Sequence, residues 1–305
     1  MAPACTRLGG YAIPVGVQRG LTLNALSLQL GAIASVLNAF ALGRLGAVEA
    51  ALVGTATALL VSLLAAAWRG ERLRLGFGRD RGWALLGAGL LDGLGNLGLF
   101  AGLALIGPVP VALLGALSPV FAALLAWGVL GERPRRAQVL AGGLAVVGAL
   151  LFSWREGASP TAPGLLLAAG ATLAYAGSNL LSTLALRTRS PAEVLAGTKL
   201  WALCACAAAG LLGGRLLVAP LDAAGVGLTV LAALLGNYLA VRLFLEALRR
   251  DGLAVSAAVR AAGPMATAAA AWPFFPVALS PVNLAGGAVL LAAVAWLGGG
   301  RRSTR

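Results

Sequence analysis

Long apolar stretches separated by short polar gaps run through the whole chain. A helix that spans a bilayer needs about 20 consecutive, mostly apolar residues. The gaps hold turn-forming and charged residues and are too short for a soluble domain. The pattern predicts an all-α integral membrane protein with ten transmembrane helices, at residues 21–43, 46–68, 82–106, 109–130, 137–153, 162–186, 194–214, 223–245, 253–275 and 279–298.

The sequence also repeats itself across its midpoint. The segment 118–127 shares its proline and its tryptophan with the segment 263–272, at an offset of 145 residues. Predicted helices 4 and 5 therefore correspond to helices 9 and 10, so one repeat contains five helices. Because five is odd, the second copy enters the membrane in the opposite orientation, an arrangement typical of secondary transporters.

Positive charge is unevenly divided between the two sides of the membrane that this arrangement creates. Seventeen of the 23 lysine and arginine residues lie on the side of the N-terminus, three lie on the opposite side, and three lie inside helices. Cytoplasmic loops carry the excess of Lys and Arg in membrane proteins. The bias predicts cytoplasmic N- and C-termini and two inverted five-helix repeats, residues 1–156 and 157–305.

Composition excludes several other classes of protein. The chain is 60% hydrophobic and 11% charged, whereas a soluble domain carries about 25% charged residues. Its net charge of +13 lies in the gaps between apolar stretches rather than on one amphipathic face, so we predict no nucleic-acid partner. With no histidine and three cysteines without metal-ligand spacing, we predict no metal and no cofactor.

Several short motifs resemble those of a known family. They are the segments 100–105 and 108–112, the Ser-Pro pair at 118–119, the turn Leu-Gly-Glu-Arg-Pro at 130–134, and the glycines at 142, 143 and 148. Together they resemble the EamA branch of the drug/metabolite transporter superfamily. The chain departs from the family in two places, since its second half has no acid equivalent to Glu132 and its first helix lacks the tryptophan-glycine pair.

The resemblance implies a fold and an activity. It implies ten helices in two inverted bundles around a central cavity, which is lined mainly by predicted helices 1, 3, 4, 6, 8 and 9. It also implies alternating access, the export of amino acids or related metabolites, and a bacterial inner membrane as the location.

Charged side chains within the predicted helices are the first candidates for a binding site. A charge at the bilayer centre costs about 2.5–3.5 kcal/mol or more. Asp92 lies roughly 15 Å into the third helix and shares a face with Asn96, so the two are suited to an ammonium group or a coupling proton. Arg260 is suited to a carboxylate or phosphate. The alternatives are an internal ion pair for Asp92 and a reach to the membrane interface for Arg260.

Two further cations, and uncharged polar residues on predicted helices 1, 6 and 8, complete the set of candidate binding residues. Arg242 lies four residues before Glu246, so a salt bridge along the helix is the alternative to a binding role. Lys199 can reach the interface, and its helix, the seventh, is not expected to line the cavity. The predicted substrate-binding residues are Asp92, Asn96, Arg260, Arg242, Asn38, Tyr175, Asn179, Asn237 and Tyr238.

These observations predict a secondary transporter rather than an enzyme. We expect it to export a small, polar, amino-acid-like metabolite by alternating access through a cavity between the two repeats. No Walker motif is present, so a proton gradient or substrate exchange is the expected energy source. A membrane channel and a membrane-embedded lipid-processing enzyme are the alternatives. The sequence leaves the substrate, the oligomeric state and the coupling ion open.

Overall fold

The computed structural model describes residues 5–8, 11–71, 73, 82–131, 136–152, 161–213, 222–260, 262–274 and 280–299. These residues are almost entirely helical. A short hairpin of β1 (Cys5–Leu8) and β2 (Tyr11–Pro14) precedes the first helix, and its antiparallel register pairs Cys5 with Pro14.

The helices follow the apolar stretches of the sequence. The first half contains α1 (Val15–Ala41), α2 (Ala47–Trp68), α3 (Gly82–Ile106), α4 (Pro108–Gly115), α5 (Ser118–Leu130) and α6 (Arg136–Phe152). The second half contains α7 (Ala162–Ala185), α8 (Pro191–Leu212), α9 (Ala223–Ala232), a π-helical segment (Ala233–Ala240), α10 (Val241–Asp251), α11 (Leu253–Arg260), α12 (Gly263–Ala271) and α13 (Pro281–Gly299).

Within the described part of the chain, six helices are long and apolar enough to cross a membrane. They are Gly20–Ala41, Ala47–Trp68, Gly82–Ile106, Ala162–Ala185, Pro191–Leu212 and Ala223–Asp251. The protein is therefore an all-α integral membrane protein, and the sequence prediction of this class is confirmed.

Two stretches that the sequence analysis took as single helices are each divided into two. The stretch 109–130 forms α4 and α5, and the stretch 253–275 forms α11 and α12. Pro119 and Pro264 lie in the first turns of α5 and α12. Proline has no N–H and its ring collides with the preceding turn, so it favours the start of a helix over its interior.

The two divided helices cross beside each other. Helix α4 packs next to α12, and α11 packs next to α5. Because Pro119 and Pro264 are the prolines that the internal repeat relates, the breaks fall at equivalent positions of the two halves. The breaks also lie on the inside of the bundle, where Ser118 and Gly263 line a common cavity.

Helix α3 packs between α7 and α8 through small residues. A side chain at Gly93 would meet Ala205 and the backbone of Ala202 on α8. On another face of α3, a side chain at Gly102 would meet Ala168 on α7. Helices in lipid associate through such close backbone approach, since lipid provides no hydrophobic drive between them. The glycines of α3 thus fix the distance at which its polar residues meet α7 and α8.

This packing predicts that Gly93→Ala destabilises the protein. The new methyl would lie 2.8 Å from the carbonyl oxygen of Ala202 and 2.7 Å from the Cβ of Ala205, so α3 and α8 must separate. We expect a loss of about 1–3 kcal/mol, the range for an overpacked core. Thermal unfolding in detergent measures the loss as a lower midpoint temperature.

Gly170→Ala is the matched control. Gly170 lies inside α7, is exposed, and has no atom within 4 Å of an added Cβ. Alanine favours a helix over glycine by about 1 kcal/mol, so this variant should unfold at the same or a higher temperature. Equal behaviour of the two variants would contradict the close approach of α3 and α8.

Candidate functional site

A cavity of about 270 Å³ lies between helices of the two halves. The first half contributes residues of α1, α3, α4 and the start of α5. The second half contributes α7, α8, the π-helical segment, α10, α11 and α12. Helix α8, the seventh predicted helix, was not expected to line the cavity. It does so through Thr198 and Lys199, so that expectation is wrong.

The structure brings most of the predicted site residues together. Seven of them line the cavity, namely Asn38, Asp92, Asn96, Tyr175, Asn179, Asn237 and Arg260. They come from α1, α3, α7, the π-helical segment and α11, so residues far apart in the chain share one space.

Two predicted site residues do not line the cavity. Tyr238 follows Asn237 in the π-helical segment, and consecutive helical residues point in different directions, so Tyr238 instead packs against an apolar cluster that includes Phe244 and Leu248. Arg242 lies outside the cavity for the same reason, one position after Val241. The partner suggested for Arg242 was Glu246.

Glu246 is occupied by two other arginines. Its Oε1 accepts hydrogen bonds from Arg249 at 3.1 Å and from Arg250 at 2.7 Å. These i,i+3 and i,i+4 pairs lie at the end of α10, where exposed arginines also interact favourably with the helix dipole. The salt bridge between Arg242 and Glu246 is therefore not the one that forms.

An ion pair joins α3 to α8 in the cavity wall. The Lys199 Nζ donates to the Asp92 Oδ2 at 2.7 Å. The Lys199 side chain is 2% exposed and that of Asp92 is 13% exposed, so the pair is well shielded. The sequence analysis offered an interfacial position for Lys199 and an internal salt bridge as the alternative role for Asp92. The structure places Lys199 in the interior because Asp92 neutralises it there.

Hydrogen bonds extend this ion pair to a third helix. The Asn96 Nδ2 donates to the Asp92 Oδ2 at 3.3 Å. The Tyr175 hydroxyl donates to the Asn96 Oδ1 at 3.0 Å. The resulting chain from Lys199 through Asp92 and Asn96 to Tyr175 links α8, α3 and α7. Asp92 thus has two donors and is a fixed part of the wall.

Arg260 lies in the wall without a carboxylate partner. Among the described residues, none of the ion pairs involves Arg260, and its buried Nε has no hydrogen-bond partner. Its guanidinium carbon lies 3.9 Å from the centroid of the Phe244 ring, and it occupies the last turn of α11. A cation–π contact and the negative end of a helix dipole both stabilise a cation, but neither supplies a full negative charge.

Helix α1 connects the cavity to the second half. The Ser27 Oγ donates to the backbone oxygen of Ala240 at 2.7 Å, at the end of the π-helical segment. The Asn24 Nδ2 donates to the Ser256 Oγ at 3.2 Å. Near the other end of α1, Asn38 lines the cavity, is 9% exposed, and has no hydrogen-bond partner for its Oδ1.

The sequence analysis missed several polar residues of the wall. They are Ser27, Ser118, Thr172, Ser182, Thr198 and Thr267, together with Lys199, which was set aside. Serine and threonine are frequent in membrane helices, where their hydroxyls bond to the helix backbone, so their type carries little signal. For Lys199 a signal existed, since one buried base and one buried acid on neighbouring helices favour a pair.

The fold and the cavity define a class of protein, a helical membrane protein with a polar space between its two halves. Residues 18–154 match the sequence model of the EamA-like transporter family. This match covers a little under half of the chain and confirms, over that part, the resemblance seen in the motifs.

A solved structure extends the likeness in fold beyond the first half. This crystal structure of a protein aligns with a TM-score of 0.70 at 20% sequence identity. The alignment covers 90% of this chain and 95% of the other. At this identity the likeness shows the fold alone. No curated protein matches the sequence.

The buried ion pair between Asp92 and Lys199 should make each single variant less stable than the double variant. Lys199→Met leaves Asp92 unpaired, and Asp92→Asn leaves Lys199 unpaired, so each should lose about 3–5 kcal/mol. The double variant Asp92→Asn/Lys199→Met removes both charges and should recover most of that loss. Thermal unfolding of the wild type, the two single variants and the double variant in detergent measures the coupling energy between the two side chains. If the loss of stability in the double variant equals the sum of the two single losses, the pair is not formed.

Proposed function

We propose that this protein is a secondary transporter that moves a small, polar, amino-acid-like metabolite through the cavity between its halves. The observation that carries the proposal is the cavity itself, whose wall combines residues of both halves and holds fixed charges. Its volume of about 270 Å³ lies just below the roughly 300–1,000 Å³ typical of ligand pockets, which favours a small metabolite.

The proposed topology is ten membrane crossings in two inverted repeats, 1–156 and 157–305, with both termini in the cytoplasm. Each described helix overlaps one of the ten apolar stretches, and the helix breaks at Pro119 and Pro264 occupy repeat-related positions. The uneven distribution of arginine supports the orientation. We propose a bacterial inner membrane on the basis of the family resemblance.

Alternating access is the proposed mechanism. Transporters built from inverted repeats place their substrate at the interface between the repeats, often beside discontinuous helices. Here α4 and α5, and α11 and α12, are the discontinuous helices, and their breaks adjoin the cavity. Rocking of one repeat against the other would open the cavity to each side in turn. Export as the direction is proposed from the family resemblance. A proton gradient or substrate exchange is proposed as the energy source because the sequence has no Walker motif.

The proposed substrate site consists of the seven predicted residues that line the cavity. Arg260, Asn38, Asn179 and Asn237 offer groups for direct contact. Asp92, Asn96 and Tyr175 are hydrogen-bonded in a chain that reaches Lys199 through Asp92. We therefore propose that they determine the shape and charge of the wall.

A bulky residue at Gly31 tests whether transport uses this cavity. Gly31 lines the cavity from α1, and an added Cβ there meets no atom within 4 Å, so Gly31→Phe should fill the cavity without displacing a helix. We expect counterflow of labelled metabolites into proteoliposomes to fall at least about tenfold, since substrate and ring would compete for one space.

Gly170→Phe is the control for this experiment. Its position on α7 is exposed and equally open, but it lies outside the cavity. This variant should transport as the wild type does. Undiminished counterflow by Gly31→Phe, or no counterflow by wild-type protein for any small polar metabolite in a broad panel, would contradict the proposal.

Single cysteines test the proposed orientation. In a background with Cys5, Cys204 and Cys206 replaced by serine, Arg250→Cys and Arg44→Cys place thiols at two exposed positions. In right-side-out vesicles, an impermeant maleimide should label Arg44→Cys and leave Arg250→Cys unlabelled, with the reverse result in inverted vesicles. Labelling of both from one side would contradict the predicted topology.

A further inference from the structure

The charged residues that line the cavity do not balance. One acid, Asp92, and two bases, Lys199 and Arg260, are among the lining residues. Asp92 and Lys199 neutralise each other at 2.7 Å, so among the described lining residues the positive charge of Arg260 is the one left unbalanced. A lone cation away from bulk water is unfavourable unless an anion or water compensates it.

Two helix starts add partial positive charge to the same cavity. Helices α5 and α12 begin at the breaks, neither has a side-chain cap, and Ser118 and Gly263 at their first positions line the cavity. The amino end of a helix carries unsatisfied N–H groups and favours an anion. Such ends are not a site by themselves, but here they adjoin a cavity whose one unbalanced charge is a cation.

A buried acceptor without a partner points independently to an occupant. The Asn38 side chain is 9% exposed, lines the cavity, and its Oδ1 receives no hydrogen bond. Buried polar atoms are nearly always hydrogen-bonded, so this oxygen requires a donor. An anionic group in the cavity would satisfy Arg260, and a hydroxyl or N–H donor in the same cavity would satisfy Asn38.

We infer that the cavity selects small organic anions, with a carboxylate or phosphate directed at Arg260, over neutral molecules and zwitterions. This inference rests on the proposed transport function and replaces its amino-acid-like substrate with a small organic anion. The sequence alone suggested a zwitterion, with Asp92 holding an ammonium group. In the structure Asp92 already has the Lys199 ammonium and the Asn96 amide as donors, so the described wall offers an incoming ammonium no free acid.

Binding of matched ligands to purified protein in non-ionic detergent, without added phospholipid, tests the inference. The carboxylate series is lactate, lactamide and alanine, and the phosphate pair is glycerol 3-phosphate and glycerol. We expect at least one anion to bind about 10- to 100-fold more tightly than its neutral counterpart, the range for a charge-assisted hydrogen bond. The stronger series distinguishes carboxylate from phosphate.

Three variants locate the preference. Arg260→Gln should abolish the ratio between anion and neutral ligand, whereas Arg260→Lys should retain part of it because the positive charge remains. The control Arg242→Gln should keep the ratio, since it removes the same charge from a residue that lies outside the cavity. If Arg260→Gln fails to fold, Arg260→Lys and Arg242→Gln still decide the question, because only the change at Arg260 should lower the ratio.

Two results would overturn the inference. One is an absence of preference, in which neither anion binds wild-type protein more tightly than its neutral counterpart. The other is alanine binding at least as tightly as lactate and losing affinity in Asp92→Asn/Lys199→Met, which would restore the zwitterion site. Counterflow measured in parallel separates the two proposals, because transport without anion preference refutes only this inference, and anion binding without transport refutes only the transport function.

Discussion

The structure depends on how charge is held in an apolar solvent. The bilayer offers no water to a buried ion, so each charge inside the bundle needs a partner or a polar cavity. The contact between the Lys199 Nζ and the Asp92 Oδ2 at 2.7 Å satisfies that need, and it draws α8 against α3. Asn96 and Tyr175 extend the contact to α7. Three helices are thereby held by one polar chain in the wall of the cavity.

Small residues make that arrangement geometrically possible. Helix α3 carries glycine where it meets α8 and α7, so the backbones approach closely and a side chain as short as that of Asp92 reaches its partner. Prolines have the complementary effect. Pro119 and Pro264 divide two helices at related positions, which leaves helix ends, rather than continuous backbone, beside the cavity. Divided helices at the interface between repeats are common in transporters with inverted repeats.

The pairing of Asp92 with Lys199 changes which ligand the remaining charge, Arg260, would bind. Asp92 and Arg260, taken as free groups, would suit a zwitterion. Once Lys199 neutralises Asp92, Arg260, which lies over Phe244, is the unbalanced charge among the described lining residues, so the cavity is positive. The ligand of a charged site therefore depends on which charges already have partners, because a ligand of opposite charge stabilises a group that has none.

The sequence by itself determined the solvent of this protein and its class as an all-α membrane protein. The length of the apolar stretches reflects the thickness of a bilayer, and the motifs in the first half resemble a transporter family whose sequence model matches residues 18–154. It also selected Asp92, Asn96, Tyr175 and Arg260, since polar groups are rare in lipid-facing helices. The tertiary structure decided which of them pair, placed Lys199 inside, and turned Arg242 and Tyr238 away from the cavity. Hydropathy is a property of one segment of the chain. Which side chains form pairs, and which of them face the cavity, depends on the rotation and spacing of neighbouring helices, and these are fixed by packing.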